Sequence, residues 1–318
     1  MADPAAVPPA VTVVLPTYRR PELLARAVGS VLEQTFGDWE LVVVDDNGLG
    51  TPEQASTEAA LRALGDDPRF VYLPLALNGG ACAARNAGIQ VARGRYIAFL
   101  DDDDVWYPTK LELQVACFAA SASDVALVYG GYRRVAPGGP GRLVLPDGRA
   151  HALRELLKRN GIGTTSLVMI RRDALVAVGA FDERLPSKQD IDLYIRLAQR
   201  FAFAFVPEPL LDKHRHLGAS IGKDYEGVVR ANRLFYDKHR AAFEADRRVH
   251  HYRLRSFGHE ALRAGRMDLG RSLLLRAWRL WPLDLASLGL ALVASRRLLA
   301  AYRVLRGHRS RPPAPEEA

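Results

Sequence analysis

The amino-acid sequence predicts an α/β protein with a doubly wound, mostly parallel sheet, helices on both faces and an α-helical C-terminal extension. Two patterns predict this fold class. Apolar runs of strand length alternate with amphipathic helical segments through the first half of the chain, the order that builds a parallel sheet. Beyond about residue 225 the strand signals stop, and the chain turns helical and arginine-rich. We therefore assign residues 1–225 to the α/β domain, 226–306 to a basic helical extension and 307–318 to a disordered tail.

Local signals predict the individual elements in chain order. Val11–Leu15 is a β-branched run that ends at Pro16, and Pro21 suits the first turn of the helix that follows. Further strands are predicted at Leu41–Val44, Phe70–Leu73, Arg95–Leu100, Val125–Tyr129 and Ser166–Ile170. Further helices are predicted at Gly79–Ala92, from Pro108 to about Phe118, at Asp190–Arg200, and as a pair over Glu260–Trp281 that bends near Gly265. The glycines and prolines of residues 130–148 indicate a loop or a short hairpin.

The charge of the chain is unevenly distributed. Its 318 residues carry a formal net charge of +8, but the segment from Arg247 onward has 15 arginines against 5 acidic residues. A near-neutral body with a basic extension suggests contact with an anionic membrane or with nucleic acid. The apolar stretch Leu283–Ala294 suits a helix that lies in a membrane interface, and packing of its leucines on the preceding helical pair is the alternative. Nucleic acid is not expected, because this segment offers only Tyr302 for base stacking.

Cysteine content and hydropathy predict a cytoplasmic location. Only Cys82 and Cys117 occur, which suits a reducing compartment and argues against a disulfide framework. The first ten residues lack the basic flank and the apolar core of a signal peptide. No uncharged apolar run reaches about 18 residues, so a spanning helix is not expected. We expect a cytoplasmic protein that associates peripherally with the inner face of the cell membrane.

The most informative segment is the apolar run Ile97–Leu100, which ends in four consecutive aspartates, Asp101–Asp104. In open α/β sheets, ligands bind at the carboxyl ends of the strands. Four carboxylates at such a position repel one another unless a cation neutralises them. The alternative is a solvated acidic loop, but a loop gives no reason to stack four like charges directly on a buried strand.

Two other polar clusters also follow predicted strands. Pro16, Thr17 and Tyr18 follow the first strand, and the run Asp45–Asn47 follows the second. Because the carboxyl ends of parallel strands share one edge of a sheet, we expect both clusters to meet the aspartate run in a single cleft. One strand-end aspartate is commonly a helix cap or a turn former, whereas three clusters on one edge favour a ligand site.

The segment Asn78–Gly88 combines small residues with one arginine. Its glycines and alanines allow a helix N-terminus to approach a ligand closely. Arg85 would then pair with a phosphate or a carboxylate, while a structural salt bridge inside a tightly packed helix is an equal alternative. The segment is not a Walker loop, because the glycine-lysine-serine or -threonine sequence is missing.

The second half of the chain offers a carboxylate and two histidines. Asp190 precedes a predicted helix, so it is either an N-cap or a general base. His214 and His216 are two residues apart on an extended segment, so they point the same way, and one of them is able to reach a metal or a phosphate.

These motifs, in this order, resemble the inverting glycosyltransferases of family 2, which have the GT-A fold. The resemblance covers residues 11 to about 220. It is carried by the following segments: Val13–Tyr18, Val43–Asp46, Ala84–Gly88, Phe99–Trp106, Gly179–Asp182 and Asp190–Leu193. Each segment is weak alone, and their joint order and spacing make the resemblance specific.

The resemblance implies a role for each matched residue. Thr17, Tyr18 and Asp45 or Asp46 would hold the base and ribose of a nucleotide. Arg85 and Asn86 would line the nucleotide pocket. The complete predicted donor-binding set is Pro16, Thr17, Tyr18, Asp45, Asp46, Asn78, Arg85, Asn86, Asp101 and Asp102. The divalent metal, Mn²⁺ or Mg²⁺, would be held by Asp103, with Asp101 and His216, and Asp190 would be the catalytic base.

The sequence therefore predicts a metal-dependent glycosyltransferase that moves a sugar from a nucleotide-sugar, a UDP-sugar, to a sugar or lipid-linked acceptor in polysaccharide or glycolipid assembly. Two alternatives are a sugar-phosphate nucleotidylyltransferase and a non-catalytic basic protein that binds membrane or nucleic acid. The first alternative lacks its glycine-rich, basic N-terminal loop, since Pro16, Thr17 and Tyr18 stand there. The intact set of carboxylates argues against the second.

Overall fold

The computed structural model describes residues 7–135, 141–149, 151–214 and 225–293, with the side chains of His214 and Tyr225 excepted. The chain divides into two compact units between residues 218 and 219. The first unit contains the sheet, and the second is helical throughout its described part. The finer boundaries expected from the sequence stay predictions.

The first half of the first unit is a parallel sheet that alternates with helices. Its strands are β1 (Val11–Thr17), β2 (Trp39–Asp45), β3 (Phe70–Pro74) and β4 (Tyr96–Phe99), and their order in the sheet is β3-β2-β1-β4. The helices between them are α1 (Pro21–Leu32), α2 (Pro52–Arg62) and α3 (Gly80–Val91). Thr17 is level with Asp45 in the register of β1 and β2, so these two strands end together.

The second half extends the same sheet with mixed strand directions. Its strands are β5 (Asp104–Trp106), β6 (Val125–Val135), β7 (Arg142–Val144), β8 (Met169–Arg171) and β9 (Ala202–His214), and the order in the sheet is β4-β8-β6-β9-β5. Strand β8 is antiparallel to β4 and β6, β6 and β9 are parallel, and β5 is antiparallel to β9. A short strand β7 pairs with β6, which makes the expected hairpin. The helical elements of this half are α4 (Lys110–Ala120), α5 (Leu153–Lys158), a 3-10 turn (Thr165–Leu167), α6 (Arg172–Val178) and α7 (Gln189–Ala198).

Small residues allow α3 to lie directly against the sheet beside the candidate site. A Cβ on Gly88 would stand 2.4 Å from Cγ1 of Val14 in β1, so only glycine fits there. The strands beneath are buried on both faces, as expected for parallel strands covered by helices. The rigid packing of α3 fixes Arg85, which is buried on this helix.

The described part of the second unit consists of α8 (Tyr225–Glu244), α9 (Arg247–Arg263), α10 (Met267–Leu280) and α11 (Leu285–Val293). The predicted bend at Gly265 is confirmed, because this glycine adopts a φ of +75° between α9 and α10. Within the described ranges, no helix has the length and apolar character that crossing a membrane requires. Helix α11 packs on α10 with Ser287 and Ala291 fully buried, while Leu285 and Leu292 are 70% and 55% exposed. Leu299 lies outside the described residues, and the membrane interface and the packing of the leucines both stay predictions.

Candidate active site

The three strand-end clusters meet at one edge of the sheet, as the sequence predicted. The Thr17 hydroxyl donates a hydrogen bond to Oδ2 of Asp102 over 3.0 Å. The backbone N–H of Asp46 donates to the carbonyl of Thr17, also over 3.0 Å. The ends of β1, β2 and β4 therefore form one continuous polar surface.

Asp45 is satisfied by neutral donors of the protein itself. Its carboxylate is fully buried and accepts hydrogen bonds from the side-chain amide of Asn47 at 2.7 Å and from the Tyr72 hydroxyl at 2.7 Å. Burial, together with the neighbouring Asp45 charge, raises the pKa of the Tyr72 phenol above its usual range, so this hydroxyl stays a donor. The side chain of Asn47 also bonds the hydroxyl of Thr57, which ties β2 to α2.

Asp46 holds the N-terminus of α3. Its carboxylate accepts hydrogen bonds from the backbone N–H groups of Gly79 and Gly80, at 2.7 and 2.8 Å, and from the side-chain amide of Asn78 at 3.0 Å. Burial raises the pKa of Asp46, and the two backbone hydrogen bonds oppose that rise. The side-chain amide of Asn78, which the sequence predicted to bind the nucleotide-sugar, therefore donates its hydrogen bonds to Asp46.

Asp101 pairs with Arg85, which is 8% exposed. The hydroxyls of Thr164 and Thr165 also donate to Asp101, at 3.2 and 3.3 Å. Burial opposes ionisation of this carboxyl, but the Arg85 charge and hydrogen bond outweigh it and hold the pKa of Asp101 below its ordinary value. The structure shows the salt-bridge alternative for Arg85, and a contact of Arg85 with a phosphate stays a prediction. The Nε of Arg85 has no hydrogen-bond partner among the described residues.

Asp102 and Asp103 share one cation. Nη1 of Arg20 lies 3.2 Å from Oδ1 of Asp102 and 3.3 Å from Oδ2 of Asp103. Burial raises the pKa of Asp102 to about 6, against the opposing effects of Arg20 and Thr17. The side chain of Asp103 is 29% exposed and that of Asp102 is 9% exposed, so Asp103 is the more accessible of the two.

Asp104 begins β5 and faces Lys213 of β9 across the sheet. Burial raises the pKa of Asp104 to about 7, the Asp101 charge adds to the rise, and Lys213 opposes it. Lys213 also acts electrostatically on Asp101 and Asp190, in each case favouring the ionised carboxylate. A lysine therefore lies within electrostatic reach of three carboxylates of the site.

Asp190 is the second residue of α7. The N-cap position belongs to Lys188, whose φ is +67°, so the N-cap alternative for Asp190 is wrong. Its Oδ2 accepts a hydrogen bond from the side-chain amide of Asn160 at 2.6 Å, and its Oδ1 accepts from the backbone N–H of Ile191 at 2.7 Å. Burial raises the pKa of Asp190, with Arg85 and Lys213 opposing the rise. A raised pKa suits a carboxylate that accepts a proton during a reaction.

The remaining predicted residues lie at the margins of this cluster. Tyr18 is 40% exposed beside Thr17. The amide of Asn86 bridges the backbone of Phe181 and the carboxylate of Glu183, so it holds the loop before α7. His214 ends β9, and the predicted metal ligand His216 lies outside the described residues. The individual roles that the sequence assigned to the site residues stay predictions.

With the geometry established, comparison with known proteins identifies the family. The model of the family described as "Glycosyl transferase family 2" matches residues 12–179. The chain is also 31% identical, over 245 residues, to the putative colanic acid biosynthesis glycosyl transferase WcaA of Escherichia coli (strain K12), a match that covers 74% of this chain and 83% of the relative. The chain belongs to glycosyl transferase family 2. It is therefore a glycosyltransferase, and neither a sugar-phosphate nucleotidylyltransferase nor a non-catalytic basic protein.

A second relative carries a more specific name. The chain is 32% identical over 162 residues to the UDP-Glc:alpha-D-GlcNAc-diphosphoundecaprenol beta-1,3-glucosyltransferase WfgD of Escherichia coli. That match covers 51% of this chain and 60% of the relative. The chain spans 30–34% of the length of three uncharacterized Rickettsia glycosyltransferases.

Two solved structures share the fold of this family 2 glycosyltransferase. Staphylococcus aureus TarS 1-349 in complex with UDP-GlcNAc superposes with a TM-score of 0.58 at 17% identity, over 94% of this chain and 93% of that one. The mannosyltransferase PcManGT from Pyrobaculum calidifontis, in complex with GDP-Man and Mn²⁺, also gives 0.58 at 17% identity, over 95% and 89%. These likenesses confirm the predicted fold class.

The carboxylate cluster of this family 2 enzyme fits a hard divalent cation by its donor chemistry. Its ligands are oxygens. Burial is the main cause of the raised pKa values of Asp102 and Asp104, and the charges of neighbouring aspartates, which a bound cation would offset, add to the rise. In the described ranges, no group of three or more acidic, histidine or cysteine side chains is arranged to hold a metal. Arg20 and Arg85 occupy carboxylate oxygens instead.

Sequence reasoning missed four residues that shape this site. Arg20 and Lys213 are cations of the site in addition to Arg85, Asn160 orients Asp190, and Thr164 donates a hydrogen bond to Asp101. The only available signal was the position of Arg20 next to the strand-end cluster at Thr17 and Tyr18. The other three contacts join residues from different elements far apart in the chain.

Proposed function

We propose that the protein is an inverting, metal-dependent glycosyltransferase that moves a sugar from a nucleotide-sugar, a UDP-sugar, to a hydroxyl of a lipid-linked or polysaccharide acceptor. The observation that supports it best is the electrostatic connection of Asp190 to the strand-end carboxylates through Arg85, which pairs with Asp101 and acts on Asp190. The names of WcaA and WfgD support the acceptor class, and the nucleotide-sugars bound to TarS and PcManGT support the donor class.

The donor side of the reaction belongs to the residues at the ends of β1, β2 and β4. Thr17, Tyr18 and the Asp45–Asp46 pair would contact the base and ribose, with Pro16, Asn78 and Asn86 at the margins. Asp101 and Asp103, with His216, would hold the metal, while Asp102 helps to place the donor. When bound, Mn²⁺ or Mg²⁺ supplies Lewis-acid neutralisation of the diphosphate leaving group.

Asp190 would act on the acceptor. As the acceptor oxygen forms a bond to the anomeric carbon, its proton moves to Asp190, and the bond from that carbon to the diphosphate oxygen breaks. One displacement inverts the configuration, and no covalent enzyme intermediate is needed. Asn160 and the N–H of Ile191 orient the Asp190 carboxylate, and its burial raises the pKa toward the range of an effective base.

A peripheral membrane location follows from a lipid-linked acceptor. Leu283, Leu285 and Leu292 are 83%, 70% and 55% exposed at α11, so this helix presents apolar side chains to its surroundings. Such a helix suits the interface of an anionic membrane. The full chain should float with phosphatidylglycerol vesicles and be released in part by high salt, and a chain ending at Pro282 should not float.

The decisive test pairs donor binding with replacement of the proposed base. A thermal-shift screen of nucleotide-sugars with Mn²⁺ or Mg²⁺ should raise the melting temperature for one donor, because binding stabilises the native state. Asp190→Asn should keep that shift and lower the turnover of the donor by roughly two orders of magnitude or more, the contribution of a positioned base. Unchanged turnover would reject Asp190 as the base. The lack of a shift with every nucleotide-sugar would reject the donor class, and an equal shift without a divalent ion would reject the metal dependence.

A further inference from the structure

The helical unit contains a groove that the transfer chemistry does not use. Helices α8 and α10 both pack on α9, and a cavity of about 650 Å³ lies between them. The residues that line it all belong to the helical unit, from Glu226 to Arg276. Its floor is apolar and includes Leu254, Phe257 and Leu273.

The charged side chains around this groove are mostly cationic. Five arginines line it, against Glu226 and Asp237, which gives a formal net charge of +3. The five are Arg230, Arg233, Arg240, Arg266 and Arg276. Planar guanidinium groups bind phosphate oxygens through paired hydrogen bonds. An apolar floor below an arginine rim is complementary to a molecule with an apolar chain and a phosphate.

A buried acceptor atom in the same groove also points to a ligand. Asn232 lines the groove and is 6% exposed. Its side-chain N–H donates to Oε2 of Glu260 at 2.9 Å, and because a carboxylate only accepts, this contact fixes the orientation of the amide. Oδ1 of Asn232 is then left without a hydrogen-bond partner in the described part of the chain. A buried unpaired acceptor costs free energy that a ligand hydroxyl would recover.

We propose that this groove binds an anionic lipid, with the phosphate on the arginines, the chain on the apolar floor and a headgroup hydroxyl on Asn232. A phosphate-linked lipid carries all three chemistries, whereas free phosphate lacks the chain and a neutral glycolipid lacks the charge. The inference names the lipid class of the proposed acceptor, and in that respect it rests on the proposed function. Binding is measured without a sugar donor, so the two proposals fail separately.

The test uses the full chain and decyl phosphate below its micelle concentration, with affinity measured by isothermal titration calorimetry. Decyl phosphate should bind roughly tenfold or more tightly than inorganic pyrophosphate or decyl maltoside, because each comparison removes one of the two main contacts. Equal binding of pyrophosphate, or of polyglutamate, would show a general anion-binding surface and overturn the lipid assignment.

Matched variants locate the site. Arg230→Gln with Arg276→Gln removes two groove arginines from exposed positions and should weaken decyl phosphate binding roughly tenfold or more. Lys238→Gln with Arg271→Gln removes the same charge from the same two helices outside the groove and should leave affinity within about twofold. Equal losses in both pairs would overturn the site.

A second matched pair tests the apolar floor. Leu269 lines the groove and is 42% exposed, and Leu234 lies outside it at 38% exposure, so both positions tolerate a polar side chain. Leu269→Glu should abolish binding and Leu234→Glu should not. Hydrolysis of the nucleotide-sugar should stay unchanged in all four variants. Retained binding in Leu269→Glu would overturn the groove as the lipid site, whatever the outcome for sugar transfer.

Discussion

The acidic ends of β2 and β4 lie on either side of β1, and their carboxylates have different partners. The carboxylates of Asp45 and Asp46 accept hydrogen bonds from neutral donors: a tyrosine hydroxyl, side-chain amides and backbone N–H groups. The aspartates that follow β4 are balanced by cations, Arg20 and Arg85. Burial raises the pKa of Asp46, and it raises the pKa values of Asp102 and Asp104 to about 6 and about 7 despite these cations.

We interpret a carboxylate whose partners are neutral hydrogen-bond donors as structural, and one whose partners are cations as a candidate metal ligand. Neutral donors fix the position of a carboxylate in the apo state. The Asp45–Asp46 pair therefore braces the ends of β2 and α3, whatever it contacts in a bound donor. The aspartates after β4 retain repulsion that the arginines only partly relieve, so this cluster has more to gain from a divalent ion.

The largest effect is expected from Asp103→Asn. If this carboxylate carries the metal, its loss should lower metal-dependent turnover by roughly two orders of magnitude or more, because a metal ion contributes several kcal/mol of charge stabilisation. The melting temperature of the metal-free protein should not fall, since one repulsive charge is removed. Steady-state kinetics over a Mn²⁺ series, with melting curves in EDTA, measure both. Full turnover with an unchanged metal dependence would reject the assignment.

For Asp46→Ala we expect a loss of stability, in contrast to the loss of turnover expected for Asp103→Asn. This change removes the acceptor for two backbone N–H groups and for Asn78, so unfolding free energy should fall by about 2–3 kcal/mol, measured by urea denaturation. Asp46→Asn should lose less unfolding free energy, because the asparagine oxygen still accepts from one of the two glycine N–H groups, which donate to different oxygens of Asp46. If Asp46→Ala lowered the unfolding free energy no more than Asp103→Asn does, the proposed difference between the two acidic strand ends would be wrong.

The stability of the protein should also depend on pH through the aspartates that follow β4. The pKa values of Asp102 and Asp104 in the folded protein lie above about 3.9, the unfolded value. The folded state therefore binds extra protons, and this stabilising contribution is fully present below about pH 4 and is lost as the pH rises through 6 and 7. This contribution is at most about 3 kcal/mol for Asp102 and about 4 kcal/mol for Asp104. Asp101 acts in the opposite sense, since its pKa is lowered.

In EDTA, the protein should melt at a higher temperature near pH 5 than near pH 8, as scanning calorimetry would measure. Asp104→Asn should flatten this dependence, because asparagine does not titrate. Mn²⁺ should stabilise more near pH 8, where the carboxylates have lost their protons. A melting temperature that rises steadily from pH 5 to pH 8 in EDTA would contradict the assignment of raised pKa values to the strand end.

The sequence predicted the parallel half of the fold and the meeting of its strand ends because those signals are local. A β-branched run such as Val11–Leu15, closed by a proline, marks a strand without reference to the rest of the chain. Strand direction in a parallel sheet then brings the clusters together. The three-residue strand β5 and the long strand β9 were missed, because β5 is too short for a period and β9 alternates irregularly.

The contacts of Arg20 and Lys213 could not be predicted from the sequence, because they join residues that are far apart in the chain. Arg20 and Asp102 are 82 residues apart, and Lys213 meets Asp104 only through the register of β9 with β5. The contact of Asn160 with Asp190 depends on a loop whose path has no repeating pattern. Local motifs therefore located the carboxylates, and only the tertiary structure shows which charges balance them.

The smallest expected effect concerns Arg20, which competes with a metal for Asp102 and Asp103. Arg20 is 41% exposed, so Arg20→Gln should change unfolding free energy by less than about 1 kcal/mol. Without nucleotide, Mn²⁺ affinity should rise about threefold to tenfold, because a competing positive charge leaves the carboxylates. Arg19→Gln is the matched control. It removes the same charge from a neighbouring position, where the arginine pairs with Glu53 and not with the aspartates. Titration of Mn²⁺ by paramagnetic resonance measures both variants. Weaker Mn²⁺ binding in Arg20→Gln than in Arg19→Gln would show that Arg20 supports the metal site and does not compete with the ion.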